Sequence, residues 1–544
     1  MAVKVRGADG ALLDNIEAHF AGLDLPQGSE RLRARRVEET LREAARAVGY
    51  YDYRATTRWD GNALYIHIEP GEPVRWVWPR LRIKGDGLAA TPVAGLTLDH
   101  PFTVGEPLNH RIYDDFKSRW LQMSRDQGFL DARYSEARLR IKPRRLQAQA
   151  IMTLVTGDPY RVGSVSFAGS SLDSALLKRL SPIVAGEIFR RSRVNQLRRN
   201  LERSRYFKLI HIETQVNADH TIDLKVGLQD AARHDLGIGA GFATDTGVRV
   251  RLRWELPRIN RRGHSLYNRV MLSEPRQELI STYRIPLREP LYQSFNVSAG
   301  WERSVIETTS AQVTRLDARV LDQWWDGWLS SVGVGFLRET SQEGSEVSLL
   351  TSYLLPGLTL NFAKRDLQPD PVEGYNIWLT AAASAEPLGV DTAFLRLQGG
   401  HKRLIDLGGP HLLIARFELG AIVTDDIFDV PLSQRFFTGG DQTVRGFDLD
   451  GISSRNEAGD PIGGRYLNVG SLEYSVKIFP SWRFGVFADA GRAYNVSSEP
   501  WHVGSGFGLR WLSPIGQVRV DVAWPIDDEF ESGAKLHIFM GPLL

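Results

Sequence analysis

Cysteine is absent from all 544 residues, which removes disulfide scaffolds, thiolate metal sites and cysteine nucleophiles together. No apolar run approaches the roughly 20 residues that a membrane-spanning helix requires, so a helical membrane protein is excluded. A membrane β-barrel stays open, because its strands alternate and never form an apolar block. Neither sign of charge is in excess: 67 Lys+Arg against 65 Asp+Glu leaves +2. The signs are mixed along the chain without a basic tail, which disfavours nucleic acid as a partner. No signal peptide is legible at the start; a mature exported chain with an added Met1 would look this way. Turn residues and aromatics, by contrast, are plentiful, with Gly 51, Trp 14, Tyr 16 and Phe 23. The length is too great for one compact unit.

The front of the chain repeats. Three short apolar segments each end in glycine: Val5-Arg6-Gly7, Ile83-Lys84-Gly85 and Phe167-Ala168-Gly169, with the glycines 78 and 84 residues apart. Each is followed by a helical stretch that runs into an aromatic corner. These corners are Gly49-Tyr50-Tyr51-Asp52, Gly128-Phe129-Leu130-Asp131 and Arg205-Tyr206-Phe207-Lys208, starting 79 and 77 residues apart. Two independent landmarks with one period mark a true repeat. In the third copy, Val162 to Phe167 alternates as a strand and Leu172 to Leu180 fits a short helix. Val194, Leu197 and Leu201 then form a helical stripe, and strands are expected near Ile210–Val216 and Thr221–Val226. The order is β-α-α-β-β, a small α+β domain. Its open sheet edges suit pairing with an unfolded strand, and the domains would serve equally as rigid spacers.

After Asp230 the pattern changes, and 314 residues of period-2 segments begin. Val248, Val250, Leu252 and Trp254 alternate with Arg249, Arg251, Arg253 and Glu255. Phe295, Val297, Ala299 and Trp301 alternate with Ser294, Asn296, Ser298 and Gly300. Val518, Val520, Val522 and Trp524 do so with Gln517, Arg519 and Asp521, and Leu536 to Met540 does so more weakly. A soluble sandwich also alternates. Here the segments are long, Trp254, Trp301 and Trp524 sit at segment ends, and one face carries arginines suited to a wet lumen. That favours a transmembrane antiparallel β-barrel of about 16 strands. The expected boundaries are 1–72, 73–157 and 158–230 for the front domains, and 231–544 for the barrel.

One stretch is more specific: Phe436-Phe437-Thr438-Gly439-Gly440-Asp441-Gln442-Thr443-Val444-Arg445-Gly446-Phe447. It resembles the loop-six signature of the BamA/TamA superfamily of outer-membrane assembly factors. Gly470 to Tyr474, Gly485 to Gly491, and Gly504 to Pro525 with Ser513-Pro514-Ile515-Gly516 resemble late-strand motifs of that family. Arg365-Asp366 with Pro371-Val372-Glu373-Gly374 resembles its mid-barrel turn. Three front domains and the ending Met540-Gly541-Pro542 are most similar to the TamA branch. Phe447 stands where the signature has Tyr, and Leu543 stands where an acid is usual.

The resemblance implies three POTRA domains in the periplasm and a barrel in the bacterial outer membrane. It implies assembly and secretion of β-barrel clients such as autotransporters, with no cofactor and no catalytic residues. The implied partners are unfolded outer-membrane proteins, outer-membrane lipid, and a TamB-like periplasm-spanning inner-membrane protein reached through the POTRA domains. Within the loop motif Val444-Arg445-Gly446-Phe447, the glycine permits a turn and Arg445 offers a fork of donors for a carboxylate. The resemblance names Asp489 as its lumen partner, with Glu473 nearby.

A barrel closes where its first and last strands meet, here near Leu236–Ala243 and Lys535–Gly541. Gly237, Gly239 and Gly241 give the first strand little to pack, and Pro542 cannot extend a ladder beyond Gly541. A weakly zipped seam, formed by Leu236 and these glycines against Leu536, Ile538 and Gly541, is therefore expected to open sideways. The same glycines would also fit a merely crowded wall.

Other chemistry is weaker. Gly237-x-Gly239-x-Gly241 and Gly504-x-Gly506-x-Gly508 lack the strand-to-helix setting of a phosphate loop and read as thin strand positions. The 12 His show no zinc spacing. Asp448-Leu449-Asp450-Gly451 breaks the calcium rhythm at Ile452 and reads as a polar loop tip. No Ser/His/Asp set can be nominated, so the chain is not expected to be an enzyme. The competing readings are a two-partner secretion transporter, which should carry two front domains rather than three, and a solute channel.

Overall fold

The computed structural model describes residues 2–23, 30–61, 63–244, 246–325, 327–344, 349–365, 370–384, 393–513, 516–526 and 533–541. Met1, Asp366, Pro514, Ile515, Pro542 and Leu543, all named above, lie outside the described residues. By internal contacts the chain forms two compact units. One comprises Met1–Ala168, Ser181–Arg199 and Ile210–Gly227; the other comprises Gly169–Leu180, Asn200–Leu209 and Leu228–Leu544.

The front repeats share one topology. The first runs from strand Ala2–Arg6 through helices Gly10–Ala21 and Glu30–Ala47 to strands Arg54–Asp60 and Ala63–Glu69. Its last strand lies in the middle, parallel to the first and antiparallel to its hairpin partner. The second has Arg80–Lys84 and Arg133–Lys142 flanking Gln147–Val155, with an added short strand at Arg75–Trp76. The third orders Arg161–Ala168, Thr221–Asp230 and Phe207–Val216 in the same way.

Helix Glu30–Ala47 shows why the pattern folds. Val37, Leu41, Ala44 and Ala45 recur at helical spacing and are buried together with Leu64, Ile66 and Ile68 of the central strand. Each such Leu, Ile or Val stabilises by about 1.5–3 kcal/mol when fully buried.

Both repeat landmarks have a backbone cause. Gly7, Gly85 and Gly169 have φ of 85°, 97° and 84°, and Gly49 and Gly128 have 97° and 98°. At the third corner Arg205 occupies the same region at φ 59°, which explains the absence of glycine from that motif.

Within the second unit that corner meets barrel turns: Tyr206 Oη donates to Gly263 O at 2.7 Å, and Asp173 N–H donates to Arg261 O at 2.8 Å. Asp230 accepts from Ser170 and Ser171 hydroxyls and pairs with Arg258 at 3.2 Å.

The barrel is one 16-stranded antiparallel sheet in strict sequence order, from Asp235–Ala243 to Lys535–Gly541. Its outer face is apolar, with Val248, Val250, Leu252, Val520 and Trp524 all exposed, as a lipid-facing wall requires. Aromatic rings form a belt across neighbouring strands: Trp328–Phe362, Phe362–Tyr375 and Tyr375–His401, with centroids 5.3, 5.5 and 6.4 Å apart. Trp301 departs from expectation. Its strand continues to Ile306, so the residue lies inside the strand rather than at its end.

Gly7→Ala should destabilise the first front domain, since an added Cβ would meet the Ile68 carbonyl as well as an unfavourable φ. A loss of about 1–3 kcal/mol is expected, read as faster limited proteolysis of that domain. Unchanged proteolysis would show that the turn tolerates a side chain.

Candidate functional site

The connection between the eleventh barrel strand, His411–Val423, and the twelfth, Tyr466–Phe479, folds into the lumen instead of standing clear of it. Its ends pair with each other through bridges Phe436–Gly464 and Thr438–Ile452. Val430, Phe436, Val444, Phe447 and Ile452 share a buried cluster with Leu337, Tyr353 and Leu467 of the wall. Gly446 has φ 101°, and a Cβ there would lie 3.1 Å from the backbone of Trp524 and Pro525. Gly504 is thin for a related reason: a Cβ would overlap the Arg445 carbonyl.

Arg445 is only 4% exposed and uses its fork completely. Nε and Nη2 donate to the two oxygens of Asp489 at 2.7 and 3.0 Å. Nη1 donates to Glu473 at 2.9 Å and to Asp521 at 3.0 Å. The Arg445 backbone N–H also donates to Asp489, at 3.1 Å. The guanidinium lies 3.4 Å from the Phe487 ring centroid, a cation–π contact. Arg510, itself buried, donates Nε to Glu473 at 2.7 Å and pairs with Asp521 through Nη1. Two guanidinium groups therefore share three carboxylates in one network. Burying these charges is costly, and bidentate pairing with every oxygen engaged offsets that cost.

The last strand joins the same loop. Gly446 N–H donates to His537 Nε2 at 2.9 Å, so that nitrogen carries a lone pair and the ring is the neutral Nδ1–H tautomer. Nδ1 donates to Asp441. Lys535 Nζ pairs with Asp448 at 2.8 Å. The polar tip at Asp448 is thus part of the last strand's attachment.

The structure brings together Val444, Arg445, Gly446 and Phe447 with Asp489 and Glu473. Asp521, Arg510, His537 and Asp441 were not singled out from sequence. Their signal was present but faint: each late strand offers an ionisable residue on its inward face, at Glu473, Asp489, Arg510, Asp521 and His537.

The seam differs from the expectation that its strands pair. The first and last strands are the two ends of the hydrogen-bonded order, and no ladder joins them among the described residues. Contact runs through side chains: Ile538 N–H donates to Thr244 Oγ1 at 3.3 Å, and Thr244 lies 3.5 Å from Asp441. Gly237, Gly239 and Gly241 stand opposite Arg253, Arg251 and Arg249 of the neighbouring strand. Leu236 and Leu536 are exposed on the outer face. Ile538 and Gly541 pair inward along the sheet with Val520 and Gln517.

A 16-stranded membrane barrel with β-α-α-β-β domains ahead of it and an arginine-anchored lumen loop defines a class of outer-membrane protein. The Omp85 superfamily domain matches residues 237–541, more than half of the chain. The chain belongs to the Omp85 superfamily. Residues 2–70 match the POTRA domain described as TamA domain 1, and residues 160–229 match the POTRA family described as surface antigen variable number repeat.

Outer membrane protein assembly factor BamA of Nitratidesulfovibrio vulgaris is 23% identical over 65% of this chain and 47% of its own length. BamA of Neorickettsia risticii is 23% identical over 68% and 53%. The chain thus spans about half the length of these curated relatives. The crystal structure of BamA from Haemophilus ducreyi lacking POTRA domains 1–3 superposes with TM-score 0.72 at 15% identity, covering 85% of this chain and 99% of that one. The barrel accordingly lies in the outer membrane with its POTRA domains in the periplasm.

Arg445→Ala should cost the barrel about 3–5 kcal/mol, because it leaves the buried Asp489 without its cation and takes from Glu473 and Asp521 one of their two. Arg445→Lys should fail nearly as badly, since a point charge cannot reproduce the fork. Heat-modifiable mobility on SDS gels reports this; wild-type unfolding temperatures in both variants would refute the role.

Proposed function

We propose that this protein is a TamA-type insertase and translocase subunit. It assists assembly and secretion of β-barrel clients such as autotransporters by opening the wall between its first and last strands. The observation carrying this reading is that those strands approach without a ladder, while the last strand is held from inside by His537 and Lys535. Unpaired strand edges in lipid are costly, so such an edge accepts a client strand readily. Templated strand addition needs neither cofactor nor chemical step. The loop packed across the bore supports this reading over that of an open solute channel.

In this proposal the open sheet edges of the POTRA domains receive unfolded clients and a TamB-like periplasm-spanning inner-membrane partner. The TamA-type first domain and the three-repeat front support that assignment over a two-partner secretion transporter. Outer-membrane lipid completes the environment on which the opening acts.

The cysteine-free chain makes the test clean. Thr244→Cys with Ile538→Cys places two thiols where the backbone of one strand already meets the side chain beyond the other. Client assembly in vesicles should stop when the pair is oxidised and return on reduction. Full assembly with the seam locked would sink lateral opening.

A further inference from the structure

The outer wall carries a second feature far from the seam. Strands eight to eleven, Leu349–Arg365, Gly374–Ser384, Phe394–Gly408 and His411–Val423, form a groove of about 710 Å³. Cross-strand register arranges its lining in rows. One row reads Leu360, Leu379, Gly399, Leu419, and the next Leu358, Ala381, Leu397, Ala421. The small residues make the depression and the leucines make its walls.

One end of the groove is chemically different. The row Lys364, Tyr375, Arg403 continues the same outward face, two steps beyond the row Phe362, Ile377, His401, Phe417. Lys364 and Arg403 are exposed. Together with Glu373, Tyr375 and Asp406 they line an adjoining cavity of about 480 Å³. Strands alternate in direction, so the eighth-to-ninth connection lies at the end where the chain enters the barrel, the periplasmic one. Phe362 and Tyr375 belong to the aromatic belt, which marks the headgroup level.

We propose that this wall holds one phospholipid of the periplasmic leaflet. Its phosphate lies between Lys364 and Arg403, a primary ammonium headgroup lies against Glu373, and an acyl chain fills the groove over Gly399. The exposed Glu373 beside the two cations gives an ammonium its partner and repels a net anion. The groove volume is within the roughly 300–1,000 Å³ of ordinary ligand sites. The inference rests on the barrel and its membrane, not on client assembly, so either can fail alone.

Native mass spectrometry of the full chain in detergent, with phosphatidylethanolamine, phosphatidylcholine and phosphatidylglycerol added equally, tests it. Phosphatidylethanolamine should be retained roughly 5-fold over the other two, about one charge contact each. The Lys364→Gln/Arg403→Gln pair should reduce its retention roughly 25-fold, two contacts at the membrane surface. Ala421→Phe should reduce retention of all three by filling the groove while the barrel keeps its folded gel mobility. Equal retention of the three lipids by wild type would overturn the headgroup assignment. Unchanged retention in both variants would show an adventitious lipid only.

Discussion

The last five strands of the barrel depend on a single buried guanidinium. Arg445 reaches the twelfth strand through Glu473, the thirteenth through Asp489 and the fifteenth through Asp521, while Arg510 adds the fourteenth. The next residue, Gly446, holds the sixteenth through His537. Five successive strands are thus indexed to one dipeptide. Strand ladders fix neighbours only to each other, and the lumen network fixes the whole group to a common point. Such a network has little tolerance for loss of one member, because each remaining charge would stay buried without its partner.

The same network reaches the seam, where no ladder joins the first and last strands among the described residues. In hydrocarbon an unpaired backbone group costs several kcal/mol, so a barrel normally closes on itself. Here Ile538 N–H of the last strand is met by Thr244 just beyond the first strand, and the strand's side chains are held from inside through His537 and Lys535. Asp441 touches both His537 and Thr244, so the loop stands at the junction of the two edges. The first strand contributes glycines where its neighbour contributes arginines, and it has few side chains of its own with which to grip the last strand.

Much of this was legible in the residues. The front period was visible because turns demanding positive φ recur with glycine, and even the third corner kept its aromatic residue when Arg205 replaced glycine. The wall was visible because lipid and lumen impose opposite polarity on alternate positions. The loop motif pointed to Arg445, and the family resemblance it carries named Asp489 and Glu473. What stayed hidden was partnership over long separations. Asp521 read only as the polar member of an alternating strand, although it meets an arginine 76 positions away. His537 sat in the weakest alternating segment of the barrel. The groove was equally illegible, since Gly399 and Ala421 become neighbours only through register.

The loop is anchored at both ends, and the two anchorages differ in strength. On the far side Ser433 binds Glu339 at 2.5 Å through its hydroxyl, Arg435 pairs with Glu343 at 2.9 Å, and Arg455 makes a fork with Glu307. On the near side the Arg445 cluster is fully buried, whereas the last strand, laddered to the fifteenth from Lys535 to Gly541, meets the loop only through His537 and the partly exposed Lys535 among the described residues. A strain applied across the lumen would therefore release at His537 and Lys535 before it disturbed strands twelve to fifteen. Loss of those two contacts would free the last strand from the loop, though not from the ladder of the fifteenth strand, and would leave the loop seated on the Arg445 cluster. The lateral opening proposed above would then proceed with strands twelve to fifteen held in register by the Arg445 cluster.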